Sequence, residues 1–147
     1  MPLPSSELVA QAWIASLPGF SGKVATTLPA VDTWRTTGFT TVQPAGGSPS
    51  VDVPTRWSLI QVDTYWATTE SGKPPWGKAS DLAEQIIRAC WDDNQQINVT
   101  VRAGYNIARL YSVWAVSDPI KLWDDAASWA RWRFDLRMTW ATLAAVA

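Results

Sequence analysis

The C-terminal stretch limits what this chain can fold into more than any other part of it. From Ala130 to Trp140, the apolar residues Ala130, Trp132, Phe134, Leu136, Met138 and Trp140 alternate with Arg131, Arg133, Asp135, Arg137 and Thr139. Successive side chains of a strand point to opposite faces, so alternation sustained over this length predicts a long, half-buried antiparallel strand. Such a strand needs paired neighbours and an apolar layer against its Trp, Phe, Leu and Met face.

The upstream sequence supplies both. Arg56 to Thr68 reads as a second long strand, with Trp57, Leu59 and Tyr65 on one side and Ile60, Val62 and Trp66 on the other. Large residues on both faces predict a central strand. Shorter strand candidates run over 23–28, 39–43, 97–102 and 107–116. Two helices are predicted. Ser5 to Leu17 opens on serines able to cap it and stops at Pro18-Gly19. Lys78 to Trp91 places Ala79, Leu82, Ala83, Ile86, Ile87 and Cys90 on one face of a 3.6-residue period. Pro44 to Ser50, with Gly46-Gly47-Ser48-Pro49 inside it, reads as a flexible connection, since it lacks the Gly-Lys-Ser/Thr ending of a phosphate loop. Thr69 to Gly77 reads as a loop carrying Trp76, and Ile120 to Ala127 as a helical turn. Strands outnumber helices and do not alternate regularly with them. The expectation is one α+β domain over residues 1–147, a mostly antiparallel sheet flanked by two main helices.

Composition narrows the function classes. The 147 residues include 47% hydrophobic side chains, enough for a core without disulfides or metal. Twelve basic and 13 acidic side chains leave a net charge of −1, giving no electrostatic footprint for nucleic acid or an anionic membrane. No apolar run approaches the roughly 20 residues that span a bilayer. The N-terminus has no basic and apolar leader pattern, and one cysteine, Cys90, excludes an internal disulfide, so synthesis in a reducing cytosol is expected. Histidine is absent, which removes the commonest general base, metal ligand and nucleophile activator. The 11 tryptophans exceed what one core of this size is expected to bury, so some belong in contacts with other chains.

Candidate chemistry is thin. Asp92-Asp93 and Asp124-Asp125 lack the partners and the spacing of a metal site and read as solvated acids. Asp63, inside the second long strand, reads as a carboxylate paired across strands with an arginine. Cys90 reads as a small buried hydrophobe. The expectation is no catalytic residue, no metal and no cofactor. The interface candidates are Trp76, as an exposed anchor on a projecting loop, and Arg131, Arg133 and Arg137, as an outward strip whose plainer reading is pairing with Asp135.

The order of elements, the Gly46–Pro49 loop, the run Pro54-Thr55-Arg56-Trp57-Ser58-Leu59-Ile60-Gln61-Val62-Asp63-Thr64-Tyr65-Trp66 and the helix from Lys78 to Ile87 resemble the tail terminator proteins of long-tailed bacteriophages. The resemblance extends over residues 5 to 140 in element order; the tryptophan load and the stretch from Asp118 to Ser128 depart from it. It implies a homo-hexameric ring at the neck of the virion, assembled in the host cytoplasm. The ring would cap the tail-tube protein on one side and meet a head-completion protein on the other, with DNA passing its lumen without specific binding. A near-neutral subunit suits that lumen, because each neutralised phosphate would add binding that must be broken. Other phage connector, tube or minor tail proteins, a carbohydrate-binding module and, more remotely, an enzyme are the alternatives.

Overall fold

The alternating C-terminal stretch forms the longest strand of the computed structural model, which describes residues 2–68, 72–92, 96–122 and 129–143. This strand, β7 (Trp129–Thr142), lies beside β3 (Thr55–Ala67) in an antiparallel pair that runs from Thr55↔Ala141 to Ala67↔Trp129. β2 (Phe39–Pro49) adds antiparallel to the other edge of β3, and β1 (Val24–Ala25) adds parallel to β2. On the far side of β7 lie β5 (Ala108–Ala115) and then β4 (Ile97–Val99), both antiparallel. β6 (Ile120–Lys121) pairs with the remaining part of that edge of β7. The result is one small α+β domain with a curled mixed sheet of order β1-β2-β3-β7-β5-β4 and two helices among the described residues.

Both helices cover one face. α1 (Ser6–Ala15) starts at Ser5, whose hydroxyl accepts from the Leu8 amide, and buries Val9, Ala10, Trp13 and Ile14. α2 (Trp76–Ala89) buries Ala79, Ala83, Ile86 and Ile87, the stripe its sequence predicts, with Leu82 half-buried. Their apolar sides meet Val42, Ile60, Val62, Leu110, Val113, Phe134, Leu136, Met138 and Trp140 in a single core. Polar groups tie the layers. Thr64 Oγ1 donates to the Ala79 carbonyl at 2.8 Å, and the Trp132 indole donates to the Trp76 carbonyl at 3.1 Å. A smaller cluster on the opposite face joins Trp34, Phe39, Tyr65 and Ala67 under residues 25–34.

Three expectations are corrected. Pro44 to Ser50 is no flexible connection: through Pro49 it continues β2, paired with Arg56–Ile60 as a hairpin arm and bulged between Pro44 and Gly46. Prolines are tolerated there because β1 covers only Thr40 and Thr41, leaving the outer edge of β2 beyond them unpaired. Gly47, at φ +97°, is required in the arm, because a Cβ on it would run into the Trp57 carbonyl. Ile120 and Lys121 are strand, not helix, held by their pairing to β7, while 123–128 lie outside the described residues. Trp76 opens α2 rather than riding a loop.

Candidate functional site

The sheet face turned away from the helices is built by alternation. On β7 it carries Trp129, Arg131, Arg133, Asp135, Arg137 and Thr139, and the β3 partners on the same face are Ala67, Tyr65, Asp63, Gln61, Leu59 and Trp57. The half near Tyr65 is sealed by residues 25–34, and the half near Trp57 is open.

The sealed half holds an ionic knot. Asp63 is only 1% exposed, yet it takes hydrogen bonds from Arg131 Nη2 at 2.7 Å and from Arg133 Nε at 2.8 Å. The Tyr65 hydroxyl adds a longer bond at 3.4 Å and itself accepts from Thr41 at 3.5 Å. A carboxylate this deeply buried is costly to leave unpaired. The bonds to Asp63 raise the Arg133 pKa above its already high value, and burial pushes the Tyr65 phenol up. Arg131 also stacks over the Tyr65 ring, 5.4 Å from its centre. Asp63 therefore pairs across strands with arginine, as its sequence position predicts. For Arg131 and Arg133 the partner is Asp63 on β3, directly opposite Arg133 and diagonal to Arg131, rather than Asp135 on their own strand. These two arginines are committed within the chain.

Arg137 is different. It lies between Leu59 on β3 and Trp114 on β5, on the open half, and has no hydrogen-bond or ion-pair partner among the described residues. Beside it Trp57 is 53% and Trp114 42% exposed, and Ile120 is exposed further along the same face. Two half-exposed indoles therefore lie beside a guanidinium that has no partner among the described residues. No group of three metal-capable side chains occurs among the described residues, and Asp93, Asp124 and Asp125 fall outside them.

No protein-family model matches the chain, and no curated sequence matches it.

The geometry redistributes the candidates. Trp76 is half-buried, and Lys121 Nζ sits 4.9 Å from the centre of its ring and 5.7 Å from that of Trp132, so it is not an exposed anchor. Arg137 stays on the open face. Trp57 and Trp114 join it, although neither was singled out by sequence. For Trp57 the signal was available, as it shares a β3 face with Leu59 and Asp63 near the strand end. For Trp114 it was not. Leu110, Ser112 and Trp114 share one face of a regular strand, but a bulge between Leu110 and Ser112 turns Val113 inward and Trp114 outward.

Proposed function

We propose that this chain is a structural subunit of a long-tailed bacteriophage, a tail terminator whose homo-hexameric ring caps the tail tube and joins it to the head-completion protein. The observation that carries the reading is the open sheet face, where Trp57 and Trp114, each about half-exposed, flank Arg137. Large indoles held in water on a rigid sheet favour burial against another chain. The resemblance of the Pro54–Trp66 run and of the element order supports the phage assignment, and the net charge of −1 suits a lumen that lets DNA slide. Capping also has a geometric logic. A tube of identical rings has no intrinsic end, because each ring exposes the surface it has just covered. A different protein must match the tube on one side and refuse it on the other.

The test is electron microscopy of lysates from phage carrying a nonsense codon at Trp13. Filled heads beside unattached tails of irregular length are expected. Normally joined particles of normal length would end the proposal.

A second reading rests on the same two rings. Trp57 and Trp114 share one face with the polar Thr139 and Arg137 between their strands, an arrangement on which a flat sugar chain could stack. Saturable change of tryptophan fluorescence with an oligosaccharide, abolished in Trp57→Ala, would favour it over the assembly role.

A further inference from the structure

Among the described residues, the strand order ends on β2 with the short β1 at one side and on β4 at the other, and these two edges are guarded differently. β2 beyond Thr41 carries Pro44, Pro49 and a bulge, the devices that stop indiscriminate strand pairing. β4 carries none. Ile97-Asn98-Val99, continuing into Thr100-Val101, is β-prone, free of proline and charge, and bonded on the β5 side only; its outer backbone groups meet no partner among the described residues.

That edge is one wall of a groove of about 370 Å³, and the other wall is α1, through Gln11, Ala12, Ala15 and Ser16. No lining residue is charged, and the helix wall is mostly small. A slot between a bare strand edge and a helix of small side chains admits one extended, uncharged strand with small residues. The same chain displays one. Between Pro44 and Pro49, the exposed arm presents Ala45, Gly46, Gly47 and Ser48 on a free edge at the opposite end of the sheet.

We propose that the hairpin arm of one copy lays its Ala45–Ser48 edge along Ile97–Val101 of the next copy, in the groove under α1. Donor and acceptor are different surfaces, so the contact is head-to-tail and propagates until a ring closes. The prolines then act as brackets that limit the pairing to about the length of β4. The inference rests on the ring reading above and assigns its subunit contact, leaving the open Trp57 and Trp114 face for the tube or head side.

The experiment uses the full chain. Ser48→Cys with Asn98→Cys places a thiol on each partner edge at exposed positions, while the native Cys90 is buried. Oxidation at high subunit concentration should give a ladder of covalent oligomers ending in a closed ring; neither single variant should go beyond traces. In parallel, Ala15→Arg fills the groove from a half-buried helix position and should raise the concentration for half-assembly, by sedimentation velocity, at least about tenfold. Its circular dichroism and melting should match the wild type. A double-cysteine protein that stays monomeric on oxidation overturns the contact, as does Ala15→Arg assembling like the wild type. In the latter case the ring itself survives and must close through another surface. A ring that never forms in virions sinks the parent reading instead.

Discussion

At the scale of single residues, Asp63 is the side chain on which most depends. Two guanidiniums converge on a carboxylate that water barely reaches. Asp63→Ala would leave them facing each other without a counter-charge. Breaking a fully buried pair costs roughly 3–5 kcal/mol, and the arginines, each about a third exposed, recover part of that by solvation. A loss of about 2–3 kcal/mol in urea unfolding is expected. A change under about 0.5 kcal/mol would place Asp63 among ordinary surface residues. Cys90 gives a pH signature. Burial pushes its thiol from an ordinary 9.0 to about 11. An acid whose pKa rises on folding holds its proton longer in the folded chain, so it costs nothing below pH 9 and removes stability as pH climbs toward 11. Tyr65, also raised from 10.0, acts in the same direction at higher pH. The slope of melting temperature against pH above 9 should flatten in Cys90→Ala, whatever that variant's absolute stability; an unchanged slope would mean that Cys90 does not drive it.

At the scale of elements, the two helices stabilise the sheet through one face each. Ile86 is fully buried in the main core, and Leu82 sits half-buried beside it on α2. Ile86→Asp would bury an unpaired charge, costing several kcal/mol by order of magnitude, and should leave the protein insoluble. Leu82→Asp should be milder, since its carboxylate can turn toward water. Equal solubility of both variants would contradict the placement of α2. The hairpin arm shows the opposite balance. From Pro44 to Pro49 it is exposed and held by pairing to β3 alone. Elements with so few apolar contacts are the ones free to serve a partner.

At the scale of the whole molecule, the tryptophans divide into a buried set and an exposed set. Trp34 and Trp140 are each 1% exposed and hold cores on opposite faces of the sheet, whereas Trp57 and Trp114 belong to neither core and are about half-exposed. Trp34→Ala should cost about 3–5 kcal/mol of stability. Trp57→Ala combined with Trp114→Ala should shift the isolated subunit by less than about 1 kcal/mol, yet lower attachment of tails to heads in a complementation assay. A double variant that melts far below the wild type, but complements once folded, would make these rings structural.

The sequence by itself determined what depends on local periodicity. Alternation in 130–140 fixed β7 and its inward face, and the 3.6-residue stripe of 79–90 fixed the buried side of α2. The pairing of Asp63 with an arginine followed from a carboxylate placed within a strand apolar on both sides. Tertiary structure alone decided what depends on register. Asp63 meets Arg133 because β3 and β7 align Asp63 with it, and no local signal carries a register between strands 70 residues apart. Proline and glycine in 44–49 signal a loop only if both edges must pair, and the edge position of β2 removed that condition. Trp114 faces solvent through a bulge of one residue, which reverses every side chain beyond it. Trp76 is drawn in by its packing beside Lys121 and Trp132, residues far along the chain. Periodicity is written in neighbouring residues and can be read from them; register, edges and bulges are settled by which strand lies alongside, and that exists only once the sheet has formed.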